Sequence, residues 1–308
     1  MDSFIKGMAL FATVVEKGSL AGAAQVLGIS PSAVSQQMAR LEREANVSLL
    51  HRSTRRLTLT EAGRVFHEHC VKVLEQAELA RQRLNEYREA PLGELRLAAP
   101  SGLASSLMSE IVRPVLLAHP QLQLSLLFQD GILDLIEQCI DLAIRVGPLP
   151  DSSQVARHLV DWPNVLCAAP SYLASFAPIV EPEQLQQLDW LLMSTDTQPS
   201  LLRLHTEQGA QFEMQMPSRL TANNIIAVKQ FALDGLGGAV LPEPEIREHL
   251  RSGRLLHLLP QWQAPMISLY AVTARRDAQP AKVTVMVETL QQFLRQRERQ
   301  ARISASSN

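Results

Sequence analysis

The 308-residue sequence predicts an all-α N-terminal segment with a small β wing, a long linker helix and a C-terminal α/β region folded as two lobes. Three observations carry this. Residues 19–42 read as two short amphipathic helices around a tight turn, residues 49–60 as a hairpin with a basic tip, and the chain from 94 onward alternates strand-like and helix-like runs. The boundaries expected are 1–60 for the winged helical domain, 61–89 for the linker helix and 93–300 for the α/β region. Its first lobe takes 93–162 and 268–300, its second 163–267, and 301–308 form a disordered tail.

Within the helical segment, Ser19 is an N-cap, Gly28 supplies the turn, and Ser30 before Pro31 gives a second cap with proline at the first helical position. Ala24, Leu27, Val34, Met38 and Leu41 are expected to pack into one small core, with Ala23 and Ala24 letting the helices approach closely. Ser30, Ser32, Ala33, Ser35, Gln36, Gln37 and Arg40 are left on the outer, N-terminal face of the second helix. Short polar side chains there suit a major groove, which admits one α-helix. The hairpin tip carries Arg52, Ser53, Thr54, Arg55 and Arg56, and arginines so placed are drawn to phosphates or a narrow minor groove. Alone, such a tip is equally an ordinary solvated basic turn. Directly after a helix-turn-helix it reads as a wing, and double-stranded DNA is the expected partner.

From Thr60, an N-cap, the chain runs to Glu89 without proline. Phe66, Cys70, Val73, Ala77, Ala80, Leu84 and Tyr87 follow alternating spacings of four and three, an a/d stripe over three heptads. A helix of this length, roughly 43 Å at 1.5 Å per residue, cannot bury that stripe alone. A partner helix from a second copy, or the chain's own C-terminal region, must cover it.

Ala90-Pro91-Leu92-Gly93 breaks the helix. Strands are then expected at 94–98, 123–128 and 142–146, with helices at 103–118, interrupted near Pro114, and at 132–140. In the second lobe 164–168, 190–193 and 238–241 read as strands and 224–234 as a helix; a strand at 268–273 and a helix at 281–299 return to the first lobe. Such alternation implies parallel sheets, whose ligands bind outside the carboxyl ends of the strands. The residues expected there are Ser101, Gly102, Gln129, Asp130 and Arg145 from the first lobe, and Ser194, Thr195, Asn223 and Asn224 from the second. Ser101 is an N-cap with free backbone N–H groups beside it, suited to a small organic anion. Arg145 either pairs a ligand carboxylate or forms a salt bridge to Asp141 or Asp130.

Composition narrows the classes. Hydrophobic residues at 46% and charged residues at 19% describe a globular chain without a transmembrane run or signal segment, so a cytoplasmic location without membrane partners is expected. Cys70, Cys139 and Cys167 are too few and too spread for a disulfide framework. The net charge of −2 hides an asymmetry: residues 1–60 carry seven Lys/Arg against four Asp/Glu, and 91–308 carry 17 against 21. Positive charge thus sits where the DNA motif is. His67-Glu68-His69-Cys70 does not read as a metal site, because His67 and His69 point apart on a helix and Cys70 lies on the apolar stripe. The glycines of 235–238 lie between helix and strand, the reverse of a phosphate loop. No serine has the spacing of a nucleophile elbow, and neither metal nor cofactor is expected.

The run FATVVEKGSLAGAAQVLGISPSAVSQQMARLE followed by LLHRSTRRLTLTEAG resembles the N-terminal domain of LysR-type transcriptional regulators. Phe11, Gly18, Ser19, Ala23, Ala24, Leu27, Ser30, Ser35, Leu41, Glu42, Leu49, Arg52, Thr60 and Gly63 are among the residues that carry the likeness. Many members have arginine where Gln36 stands and phenylalanine where Leu50 or His51 stands. Glutamine pairs best with adenine, so the first departure implies another base preference. PLGELRLAAP, DLAIRVG, CAAPSYL and GLGGAVLP resemble markers of the family's effector-binding domain, which has the fold of periplasmic solute-binding proteins. The resemblance implies a homo-oligomer, dimer or tetramer, joined through the linker helix. It implies effector contacts in the loops named above, contact with RNA polymerase at promoters, and a branch that includes sensors of aromatic carboxylates. The alternative is an α/β ligand-binding or enzymatic domain with an accessory DNA-binding module.

Overall fold

The computed structural model of the chain describes residues 2–52, 57–131, 133–147, 154–193, 201–274 and 279–305. It resolves into two compact units, 1–86 and 87–308. In the first, α1 (Asp2–Lys17), α2 (Leu20–Leu27) and α3 (Pro31–Ala45) are followed by the hairpin β1 (Leu50–Arg52) and β2 (Leu57–Leu59) and by α4 (Glu61–Glu89). The caps act as the sequence predicts. Ser19 Oγ accepts from the Gly22 amide, Gly28 closes α2 at φ 67°, and Ser30 Oγ accepts from the Ala33 amide. Phe11, Val14, Ala23, Ala24, Val34, Met38, Leu41 and Leu49 share a core to which α4 adds Cys70. Much of that core comes from α1. Leu27 departs from expectation: it is 37% exposed, because α2 ends there, beyond the edge of the core.

The second unit begins with β3 (Gly93–Ala99), α5 (Ser101–Ser106), α6 (Met108–Ala118), β4 (Leu122–Phe128), β5 (Leu142–Val146) and β6 (Val155–Trp162). The chain then builds β7 (Asn164–Ala168), α7 (Pro170–Leu173), a 3-10 turn at Pro182–Gln187, β8 (Trp190–Met193), the hairpin β9 (Leu201–His205) and β10 (Gln211–Gln215), and β11 (Ser218–Ala222). It continues through α8 (Ile225–Leu233), β12 (Gly238–Pro242), α9 (Glu243–Arg251) and β13 (Leu256–His257), and returns with β14 (Ile267–Thr273) and α10 (Ala281–Ala305). Two five-stranded sheets result, ordered β4-β3-β5-β14-β6 and β11-β8-β12-β7-β13. Neither is fully parallel. β14 comes back from the second lobe and inserts antiparallel between β5 and β6, while β7 runs antiparallel to both β12 and β13.

Each lobe has its own apolar interior. Leu95, Leu97, Ile111, Leu142 and Leu269 pack beneath Met286, Val287 and Leu290 of α10 in the first lobe. Trp190, Leu185 and Leu204 centre one second-lobe cluster, and Leu241, Val228 and Ile246 another. The chain passes between lobes at Pro163 and again just after Pro265, where Asn164 Nδ2 donates to the Pro265 carbonyl at 2.8 Å. Beside this crossing, Ser268 Oγ donates to Asp161 Oδ1 at 2.6 Å.

Several expected elements differ. The helix at 103–118 is two helices, broken at Leu107 (φ −129°) rather than at Pro114, which lies exposed inside α6. No helix forms at 133–140: Asp134 Oδ1 accepts from the amides of Ile136 and Glu137, and Cys139 takes φ 53°, so the segment closes as turns. β6, β9–β11 and α9 had no distinct sequence signal. α10 continues through Ala305, so the tail expected from 301 is helical for its first five residues; 306–308 lie outside the described residues.

Candidate nucleic-acid interface and interlobe site

Burial divides α3 cleanly. Val34, Met38 and Leu41 face the core, whereas Ser30, Ser32, Ser35, Gln36, Gln37 and Arg40 are exposed and Ala33 is half-buried. Ser30 and Ser32 hydroxyls lie 2.9 Å apart, a polar cluster at the helix start. Arg40 Nε donates to Glu44 Oε1 at 2.8 Å, and this contact holds the Glu44 carboxyl below its ordinary range. An exposed pair of this kind contributes little to stability, so Arg40 can exchange Glu44 for a phosphate.

The wing is tied to α3 by a residue whose role the sequence did not reveal. Glu42 Oε1 accepts from the Leu49 amide at 2.8 Å and the Leu50 amide at 3.2 Å, fixing where the hairpin leaves the helix. On the other side Thr60 donates its amide to the Leu49 carbonyl and its hydroxyl to the Ser48 carbonyl, and caps α4 by accepting from the Gly63 amide at 2.9 Å. Gly63 sits so close that a Cβ there would lie 2.0 Å from the Leu49 carbonyl oxygen. Arg52 pairs through its backbone with Leu57 at the end of β1; Ser53, Thr54, Arg55 and Arg56 lie outside the described residues, as does the Arg52 side chain.

The a/d stripe of α4 divides in two. Cys70 is fully buried in the core of its own unit, and Phe66 packs against Phe11 with ring centroids 5.3 Å apart. Cys70 is therefore unavailable to a partner helix, contrary to expectation, while Phe66 is half-buried against α1. Val73, Ala77, Ala80, Leu84 and Tyr87 are exposed, and Leu84 is 71% so. Burial pushes the Cys70 thiol up to about 11 and Cys167 up to about 12. Among the described residues no three His, Cys, Asp or Glu side chains cluster as metal ligands.

In the second unit the structure brings Ser101, Gly102, Asp130 and Asn224 together. Ser101, 6% exposed, begins α5 at the carboxyl end of β3; its amide donates to Asp130 Oδ1 at 2.8 Å and its hydroxyl to Asp130 Oδ2 at 2.5 Å. From the second lobe, Asn224 Nδ2 donates to Ser101 Oγ at 3.0 Å, and the Ile225 amide reaches Asp130 Oδ2 at 3.3 Å. Asn224 Oδ1 also caps α8 by accepting from the Ala227 amide. The lobes thus meet around a carboxylate that the chain itself supplies. Glu245, 8% exposed, pairs with Lys229 at 3.2 Å and lies over Gly102, where a Cβ would come 2.7 Å from its Oε1. Sequence reasoning missed this pair, since nothing local marks a charge for burial.

Arg145 meets neither Asp141 nor Asp130. Its guanidinium donates to the Gly131 carbonyl at 3.1 Å and to the Leu133 carbonyl, and burial lowers its pKa. Asp141 instead holds Lys282 at 2.8 Å and the Arg96 amide at 3.0 Å. Gln129 and Asn223 are exposed and stand apart from the cluster's hydrogen bonds described above. Ser194 and Thr195 lie outside the described residues. A Ser268, Asp161 and His158 grouping has the composition of a hydrolytic triad but the wrong order: Asp161 Oδ1 contacts both Ser268 Oγ and His158 Nε2, so the aspartate rather than the histidine meets the serine.

Residues 5–64 match the bacterial regulatory helix-turn-helix protein, lysR family, and residues 88–295 match the LysR substrate binding domain. The HTH-type transcriptional regulator PtxR of Pseudomonas aeruginosa is 33% identical over 92% of this chain and 91% of its own. The HTH-type transcriptional activator AaeR of Escherichia coli strain K12 is 32% identical over 94% and 93%. Among solved structures, the full-length Vibrio cholerae virulence activator AphB, a member of the LTTR protein family, superposes with TM-score 0.70 at 27% identity, covering 94% of this chain and 98% of that one. CrgA, a LysR-type transcriptional regulator from Neisseria meningitidis, gives 0.57 at 28% identity, covering 92% and 98%.

Proposed function

The chain belongs to the LysR-type family of transcriptional regulators, and on that premise we propose that it reads promoter DNA through the exposed face of α3 under control of a small organic anion. The observation that carries the DNA part is the division of α3 into a buried face and a largely polar one beginning at a capped N-terminus. Ser32, Ser35, Gln36 and Gln37 meet base edges, with Gln36 favouring adenine, while Arg40 and the wing arginines Arg52, Arg55 and Arg56 hold phosphates or minor groove. Regulators of this family bind DNA and effectors and form oligomers. Here the exposed stripe from Val73 to Tyr87 joins two copies, which set two α3 helices about one DNA turn or a multiple apart. Ser101, Asn224 and their neighbours receive the effector, an anion and within that class an aromatic carboxylate. RNA polymerase is the further partner and the cytoplasm the location, in keeping with the finding that no described helix is long and apolar enough to cross a membrane.

The test is selection of genomic DNA fragments by the purified protein at moderate salt, followed by sequencing. A few enriched interrupted palindromes support the reading, and their neighbouring genes name the organic acids to try as effectors of operator affinity. Uniform, salt-labile retention without enriched sites overturns sequence-specific binding.

A further inference from the structure

We infer that Asp130 is a built-in clasp between the two lobes: its carboxylate, carried by the chain, joins them. Both oxygens are engaged from the first lobe by Ser101, and Oδ2 also receives the Ile225 amide of the second lobe. The Ser101 hydroxyl has one hydrogen, given to Asp130, so its lone pair is free to accept from Asn224 Nδ2. One side chain thereby organises donors from α5 of the first lobe and α8 of the second. Because Ser101 is 6% exposed, water competes poorly for its two donors, and hydrogen bonds to an ionised acceptor are about twice as strong as neutral ones.

The loop that carries Asp130 is itself held. The Gln129 amide donates to the Ala99 carbonyl at 2.9 Å, and Arg145 gathers the carbonyls of Gly131 and Leu133. Arg145 is therefore a positioning residue for the clasp rather than a ligand contact. Any ligand that changes how the lobes meet must break or replace the Asp130 contacts, and in doing so it shifts the 129–134 loop. A ligand couples to conformation only through such differential contacts. That last step rests on the anionic-effector reading above, while the clasp itself does not.

Hydrogen exchange of the full-length protein without added ligand tests this. In Asp130→Asn, amides in 95–107 and in 222–233 are expected to exchange roughly tenfold faster, as loss of a charge-assisted bond implies. Asp134→Asn, which loosens the neighbouring turn, is expected to affect only 133–140. Wild-type rates at 222–233 in Asp130→Asn would overturn the clasp and leave the effector reading intact. Faster exchange there, together with no organic acid altering operator affinity, would uphold the clasp and sink only that reading. Should Asp130→Asn fail to fold, Ser101→Ala removes one donor and must accelerate the same two segments, or the clasp is wrong.

Discussion

Replacing Gly63 by alanine sets two effects of opposite sign against each other. Gly63 lies in the first turn of α4, and Gly→Ala inside a helix ordinarily gains about 1 kcal/mol. Here the new Cβ would stand 2.0 Å from the Leu49 oxygen and 3.0 Å from its carbonyl carbon, both backbone atoms. Leu49 cannot step aside cheaply. Its amide is held by Glu42, its carbonyl by Thr60, and its side chain is 1% exposed in the core. Relief means moving α4 off the wing, which forfeits the Thr60 bond and the Thr60 cap, about 1 kcal/mol each, on top of roughly 1–3 kcal/mol of overpacking. The balance is about 2–4 kcal/mol of destabilisation. For a unit of this size each kcal/mol shifts Tm by roughly 4–8 °C, so the transition of residues 1–86 should fall by on the order of 10 °C or more. Differential scanning calorimetry of the full chain measures it. Gly131→Ala, whose Cβ meets only the Gln129 side-chain Nε2 at 3.6 Å, should stay within about 0.5 kcal/mol of wild type. A Gly63→Ala protein that melts at or above the wild-type temperature would refute the reasoning, because propensity would then have outweighed the clash.

Lys229→Met should destabilise the second unit by on the order of 3 kcal/mol, since it removes the cation paired with the buried Glu245 carboxylate; urea unfolding checks this, and a double variant that also carries Glu245→Gln should recover part of the loss. Thiol titration at pH 8 should modify exposed Cys139 quickly and leave Cys70 and Cys167 untouched until unfolding. Both buried thiols have values raised above the ordinary 9.0, so their contribution is full below about pH 9 and is lost as pH climbs towards the native values; an alkaline decline in Tm that starts near pH 7 would contradict this. On a selected operator, Arg55→Ala should weaken binding to all sequences and reduce the salt slope by about one, whereas Gln36→Ala should mainly relax base preference; identical profiles for both variants and wild type would remove these residues from the interface.

Local sequence dictates the helix pair, its caps and its polar face, because capping and amphipathic spacing act over three or four residues: Ser19, Gly28, Ser30 and Pro31 act on their immediate neighbours. It equally determined the alternation that makes two α/β lobes. Tertiary structure alone decided which chemistry each marked residue performs. Cys70 and Phe66 obey the same periodicity as Leu84 and Tyr87, yet the core of their own unit takes up Cys70 fully and Phe66 in part and leaves the others exposed. β14 reads as a strand in isolation, but its antiparallel insertion between β5 and β6 follows from a chain that has to return from the second lobe. Asp130, read as a ligand contact, turns out to be bonded by Ser101 and Ile225, residues 29 and 95 positions away. A hydrogen-bond partner at that separation leaves no periodic trace in the chain, so what holds the lobes together became visible only once they were folded against each other.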